Sequence, residues 1–321
     1  MHKSFHLALM STIVGAVLTG LPATVAAQDA HEVTEPRRPD GRPDLQGVWH
    51  FNTTTPLQRP EALADQVRYT EEEHAALSAR TAEFRPFDAQ PPAGSVGAYN
   101  QFWWDRGGPV DDRRTSLIVD PADGKLPSLT ADAQKRHGQL PAGRNTDSYE
   151  GRTLSERCIV WPHEGPPMLP PSYNDILQIF QTPDHIVMLG EMIHDARVIP
   201  ISDSPHISDN IRQWHGDARG HWEEDTLVVE TTNFDARALY RNSGEGRRLV
   251  ERFTRIRPDT LHYEITVADP STWTRPWTAL VPLSQTDDAV YEYACHEGNI
   301  GMHGILAGAR RLESQGRELR P

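Results

Sequence analysis

The sequence is rich in histidine, a residue whose side chain can transfer protons. The chain has 15 histidines, and nine of them follow residue 150. A neutral imidazole accepts or donates a proton near physiological pH, so such a set suits acid–base catalysis or metal binding. No HxH or HExxH spacing occurs. A metal site would therefore need side chains that converge only in the folded chain.

The densest group of chemically active residues is the segment 191–197, with the sequence EMIHDAR. On a β-strand, Glu191, Asp195 and Arg197 would share one face, and His194 would lie on the other. An arginine between two carboxylates lowers the pKa of both, which favours an ion-pair scaffold. In the catalytic alternative, Glu191 or Asp195 is the base and Arg197 holds an oxyanion, while His194 or His206 moves the proton.

Further candidates lie in loops, which carry a large share of the binding and catalytic residues of proteins. His206 follows a proline, His215 lies in the sequence WHGD, and Trp103 and Trp104 belong to a Pro/Gly-rich aromatic loop. We predict a catalytic set of Glu191, His194, Asp195, Arg197, His206 and His296. We predict that Tyr173, Trp103, Trp104, Trp214, His163 and His215 bind the substrate.

The two cysteines, Cys158 and Cys295, are predicted to form a disulfide. An isolated pair in an exported chain is typically oxidised. This bond would bring His296 and Glu297 close to the segment 161–164, which contains His163. Two free thiols, or a Cys/His metal site with His163 and His296, are the alternatives.

Export is indicated by the first 27 residues. Lys3 precedes an apolar stretch over 7–21, and small residues at 24–27 form a cleavage site. We predict that 1–27 is a signal peptide and that the mature protein is periplasmic or secreted, with no membrane span.

Composition and missing motifs exclude several classes of protein. Thirty-two basic and 45 acidic residues give a net charge of −13, which disfavours nucleic acid as a partner. The sequence lacks GxSxG, GxGxxG and GxxxxGK[ST], which disfavours a serine hydrolase and a nucleotide cofactor. We predict no cofactor.

The elements that must position these residues are mostly strands. Region 28–172 is predicted to be an arm, one helix and long loops that pack on the main fold. A strand is expected near 47–51, another over 116–120, and the helix begins at a capping box of Thr70 and Glu73.

After residue 173, β-rich runs follow one another with short turns between them, and 261–267 alternates apolar and polar residues. The predicted strands are 176–181, 186–191, 196–201, 220–223, 226–232, 250–256, 261–268, 278–283 and 290–296. We predict a mainly β fold: an antiparallel, up-and-down barrel of eight or nine strands over 173–321, with a C-terminal tail. Residues 251–255 carry charged side chains on both faces of the predicted strand. These side chains either form salt-bridge ladders on the exterior of the barrel or point into the lumen as ion pairs.

Several stretches of the sequence resemble a large family of secreted bacterial proteins that are mostly described as hypothetical. They are GRPDLQGVW at 41–49, RTSLIVDPADG at 114–124, EMIHDAR at 191–197, IRQWHGD at 211–217 and GHWEEDTLVVETTNF at 220–234. The resemblance covers nearly the whole mature chain and implies no particular activity. A weaker likeness to lipocalin-like barrels implies a lumen that takes a small hydrophobic ligand.

These observations predict a secreted, cofactor-independent enzyme that performs acid–base chemistry on a small hydrophobic or aromatic molecule, as a lyase, isomerase or hydrolase. One alternative is a periplasmic carrier that binds a hydrophobic molecule without converting it. The other is a metal-dependent hydrolase or lyase. The oligomeric state is not predicted.

Overall fold

Antiparallel β-structure dominates the chain, as predicted. The computed structural model describes residues 35–83, 107–138, 147–161, 165–170, 174–241 and 243–316. The predicted signal peptide lies outside these residues. The strands are β1 (Gly47–His50), β2 (Ile118–Asp120), β3 (Ile176–Gln181), β4 (His185–Gly190), β5 (Ala196–Pro200), β6 (Asp217–Glu223), β7 (Thr226–Thr232), β8 (Arg248–Arg257), β9 (Thr260–Ala268) and β10 (Trp277–Thr286).

All ten strands belong to one sheet, with the order β5-β4-β3-β1-β10-β9-β8-β7-β6 and with β2 paired to β10. The sheet contains two meanders, β3–β5 and β6–β10, and β1 lies between them. A single uninterrupted meander after residue 173 was predicted, whereas β1 comes from the N-terminal part of the chain and pairs with both β3 and β10.

The two ends of the sheet, β5 and β6, approach each other at one point. Ile201 and Gly220 form a single parallel bridge, and the amide of Ser202 donates to the carbonyl of Gly220 at 3.1 Å. No strand ladder among the described residues continues from this bridge. The mainly β, antiparallel fold is confirmed, whereas no strand ladder among the described residues closes the sheet, so the barrel stays a prediction.

The core lies on one face of the sheet and follows from the alternation of apolar residues. In β9, the side chains of Leu261, Tyr263, Ile265 and Val267 are all fully buried, as predicted for 261–267. They pack in one cluster with aromatic side chains from other strands, such as Trp277. Each large apolar side chain removed from water stabilises the fold by about 1.5–3 kcal/mol.

Where one helix was predicted, the described residues form four α-helices: α1 (Glu71–Glu83), α2 (Ala131–Gly138), α3 (Cys295–Gly298) and α4 (Ile300–Ser314). The predicted capping box starts α1, because the Thr70 amide donates to Glu73 at 2.8 Å and the Glu73 amide donates to the Thr70 hydroxyl at 3.2 Å. None of the described helices has both the length and the apolar character that a membrane span needs.

The predicted strand at 290–296 is wrong. Residues 287–294 have no regular structure, and α3 begins at Cys295. The segment contains two tyrosines and a valine, which favour strands, but that preference depends on packing against a neighbouring strand. The described sheet offers this segment no partner strand.

Candidate active site

The central feature of the site is a hydrogen-bonded pair formed by Asp195 and His215. Nε2 of His215 donates to Oδ2 of Asp195. Asp195 lies between a 3-10 turn (Met192–His194) and β5, and His215 lies in the turn before β6. A carboxylate can only accept, so the bond fixes the imidazole proton on Nε2 and leaves the lone pair on Nδ1.

Two glycines position the His215 ring. Gly216 has φ +70°, and a Cβ there would lie 2.4 Å from the carbonyl oxygen of Thr232, so the turn needs glycine at this position. Gly165 lies against the other side of the ring. A Cβ at Gly165 would be 2.2 Å from Nδ1. The imidazole is therefore held between Asp195 and a residue without a side chain.

His215 lines two clefts. The first, which we call the seam cleft, has a volume of about 550 Å³ and lies between residues 196–200 and 212–219, beside the two edge strands. The second, the arginine cleft, has a volume of about 440 Å³ and includes Trp161, Trp214, Tyr240 and four arginines in its lining. Both volumes fall in the range of roughly 300–1,000 Å³ that small-molecule sites occupy. Trp214 also lines both clefts, as its predicted role in substrate binding would require.

A second histidine–carboxylate pair lies nearby in the sequence and has a different environment. Nδ1 of His206 is 2.8 Å from Oδ2 of Asp217, and the Ile207 amide donates to the same oxygen at 3.2 Å. Arg219 donates to the other oxygen of Asp217 at 2.7 Å. Both carboxylate oxygens are thus occupied, and His206 is not in the lining of either cleft.

Arg197, predicted to hold an oxyanion, is buried in an ion pair. Its two Nη atoms donate to Glu251 at 3.1 and 2.6 Å, and the Tyr263 hydroxyl donates to the same carboxylate at 2.6 Å. Glu251 is fully buried. The charged side chains of 251–255 were predicted to lie either on the exterior or, as ion pairs, in the interior. Glu251 lies in the interior and is paired. The guanidinium is thus occupied by Glu251, and Arg197 also belongs to the lining of the seam cleft.

Glu191 does not share a strand face with Asp195. Gly190 ends β4, and Ile193 adopts φ +62° in the 3-10 turn, so 191–197 is not one strand. The prediction that Glu191 shares a face with Asp195 and Arg197 is therefore wrong. Glu191 is buried and accepts from the Tyr291 amide at 3.3 Å. Burial is the main reason that its pKa is raised, and Asp175 adds to the effect.

The remaining predicted site residues fall into two groups. His296 lies exposed on α3, outside the lining of both clefts. Tyr173, Trp103, Trp104 and His163 lie outside the described residues, and only the backbone of His194 is described.

The predicted disulfide is confirmed. Cys158 and Cys295 are joined with an S–S distance of 2.03 Å, which links the 147–161 segment to α3. The Asn299 side chain strengthens this link by donating to the Glu156 carbonyl at 2.8 Å. This segment supplies part of the arginine cleft, so the disulfide fixes one wall of the site.

Sequence reasoning missed Gly165, Arg157, Arg237 and Arg247. The four come from three separate segments, and their common position at the cleft carries no local signal. For metal binding, no group of three or more His, Cys, Asp or Glu side chains among the described residues is arranged to hold an ion.

Comparison with known proteins adds no family to these observations. No protein-family model matches the chain, and no curated protein matches it.

Proposed function

We propose that this protein is a secreted, cofactor-independent enzyme that transfers protons within a small hydrophobic or aromatic molecule, with His215 as the base. The observation that carries the proposal is the Asp195–His215 pair, whose histidine lines both clefts. A carboxylate that orients an imidazole and stabilises its protonated form is a recurrent catalytic arrangement.

The chemistry follows from the position of the proton. Nδ1 of His215 takes a proton from an acidic C–H bond of the bound molecule, and the bonding electrons move into an adjacent carbonyl group. Asp195 stabilises the resulting imidazolium. Return of the proton to another atom of the same molecule completes an isomerisation, whereas its delivery to a leaving group completes an elimination.

The surroundings of the pair suit such a molecule. Trp161, Trp214 and Tyr240 give the arginine cleft apolar surface against which a ring can stack. The Cys158–Cys295 disulfide supports function in an oxidising compartment, such as the periplasm or the exterior.

The proposal is tested by measuring deuterium uptake into a panel of candidate compounds, so that no single substrate has to be chosen. A mixture of aromatic and aliphatic carbonyl compounds in ²H₂O is incubated with the wild-type protein and with His215→Gln, and mass gain is followed by mass spectrometry. We expect at least one compound to gain deuterium or change mass with the wild type. That change should slow by about 10²- to 10⁴-fold in the variant, the range that general acid–base groups contribute.

The opposite result has a clear meaning. Compounds that bind, as shown by ligand-observed NMR, and never exchange above the buffer rate would contradict the enzyme and favour the carrier. Equal exchange with the wild type and His215→Gln would show that His215 is not the base.

A further inference from the structure

The described lining of the arginine cleft contains more positive than negative side chains, in a protein that is acidic overall. Arg152, Arg157, Arg237 and Arg247 line it, and Glu150 is the carboxylate that accompanies them in the described lining. Two of these arginines have carboxylate partners: Arg152 is 3.4 Å from Glu156, and Arg237 binds both oxygens of Asp235 at 2.8 Å.

The other two arginines, Arg157 and Arg247, have no ion pair with a carboxylate of the described residues. Arg157 lies over the Tyr149 ring, with its guanidinium carbon 5.4 Å from the ring centroid. Arg247 lies over the Phe234 ring at 3.9 Å. Each guanidinium thus lies over an aromatic ring and forms no ion pair with a carboxylate of the described residues.

Arg247 is the more informative of the two because it is buried. Its exposed fraction is 3%, Nη1 donates to the carbonyls of Ala238 and Ser243, and Nε has no hydrogen-bond partner among the described residues. Burial lowers its pKa to about 10, so it remains charged at neutral pH. Tyr240 and the Asp269 carboxylate oppose this effect only in part. A buried charge that forms no ion pair costs free energy that an anion in the cleft would offset.

We propose that the arginine cleft is an anion subsite, and that the molecule bound there carries a carboxylate beside its hydrophobic or aromatic part. Guanidinium groups bind carboxylates through charge-assisted hydrogen bonds, which are about twice as strong as neutral ones. The inference rests on the proposed function in one respect: it names the substrate class for the site in which His215 is the base.

Trp214 connects the two parts of the proposed site. The guanidinium of Arg237 lies 4.5 Å from the centroid of the Trp214 ring, and His215 is the next residue in the chain. A carboxylate held by the arginines therefore places the remainder of the molecule among Trp214, Tyr240 and His215, which share the lining.

A matched pair of probes tests the subsite. Naphthalene-2-carboxylate and naphthalene-2-carboxamide have the same shape and differ in charge, and their affinities for the wild-type protein are measured by isothermal titration calorimetry. We expect the carboxylate to bind at least about tenfold more tightly than the amide, because it forms charge-assisted hydrogen bonds in a partly closed cleft.

Three variants identify the source of the preference. Arg247→Met and Arg157→Met should each reduce the ratio of the two affinities by about threefold or more, the lower end of what hydrogen bonds to charged groups provide. Arg275→Met removes an equal charge at an exposed ion pair with Asp120, outside the cleft lining, and should leave the ratio unchanged. Arg157 lies in a partly exposed segment, so its variant remains informative if Arg247→Met fails to fold.

The outcomes separate this inference from the proposed function. Equal affinities for the two probes, no binding of either probe, or a preference that survives both Arg247→Met and Arg157→Met would overturn the subsite. His215→Gln should keep the preference while it loses deuterium exchange. A preference for the carboxylate without any deuterium exchange would uphold the subsite and contradict the enzyme. Deuterium exchange without this preference would uphold the enzyme and contradict the subsite.

Discussion

The two histidine–aspartate pairs, Asp195–His215 and Asp217–His206, have the same chemical groups, but it is the histidine of the first pair and the aspartate of the second that line the seam cleft. Asp217 is saturated by His206, the Ile207 amide and Arg219, and it is buried. Asp195 is partly exposed, and His215 is its hydrogen-bond partner at the junction of two clefts. A pair becomes a candidate for catalysis when its histidine lines a cavity, and the presence of the pair alone is insufficient.

Substitution of the two histidines gives the strongest test of this difference. His215→Gln should reduce deuterium exchange by about 10²- to 10⁴-fold, because it removes the base. His206→Gln should keep a rate near that of the wild type, because His206 lies outside both cleft linings. Equal losses in the two variants would remove the distinction between the pairs.

The aspartates should separate activity from stability. Asp195→Asn should slow exchange by about 10- to 100-fold, since the histidine loses the group that orients it. Asp217→Asn should lower the free energy of unfolding by about 1–3 kcal/mol, because Arg219 and His206 lose a buried acceptor. Rates and urea unfolding are measured on both variants, and the comparison fails if Asp217→Asn is the less active of the two.

The contact between Gly165 and the His215 ring offers a smaller perturbation that leaves both aspartates intact. Gly165→Ala should displace the imidazole and slow exchange by about tenfold, since small misplacements of a reacting group are costly. Gly301→Ala in α4 is the control, because a Cβ there meets nothing within 4 Å. An unchanged rate in Gly165→Ala would show that the exact ring position is unimportant.

The smallest expected effect is that of substituting Glu191. This substitution removes a pH dependence of stability that comes from neither histidine–aspartate pair. Its raised pKa means that the folded state favours the protonated acid, so its contribution to stability is present at low pH and is lost as the pH rises through that pKa. Glu191→Gln resembles the protonated form. Relative to the wild type, its free energy of unfolding should therefore increase from acidic to neutral pH, within the ~1 kcal/mol typical of single substitutions. A difference that is constant with pH in urea titrations would contradict this assignment.

Much of the fold could be predicted because its signals are local. The alternation in 261–267 predicts which side chains of β9 are buried, and the capping box predicts where α1 begins. The disulfide could be predicted from the count of two cysteines in a chain with export signals. By contrast, the insertion of β1 between β3 and β10 depends on pairing between strands far apart in sequence, which local patterns do not specify.

The candidate site was predicted in its components and wrongly in its grouping. Asp195, His215 and Trp214 were all selected, but Asp195 was grouped with Glu191 and Arg197 on the assumption of a continuous strand. The 3-10 turn at Met192–His194 separates Glu191 from the other two, and each of the three has a different partner. The buried charge of Arg247 could not be predicted, because its burial comes from side chains that lie elsewhere in the sequence.

The sequence by itself determined the mainly β class, the alternation of buried residues, the start of α1, the disulfide and the choice of histidines and acids as candidates. These depend on residue type and short-range spacing, which persist before the chain folds. Only the tertiary structure decided that Asp195 bonds to His215, that Glu251 neutralises Arg197, and that unpaired arginines border the same cleft. Such assignments depend on distances between segments, because ionic interactions and desolvation change steeply with separation and burial.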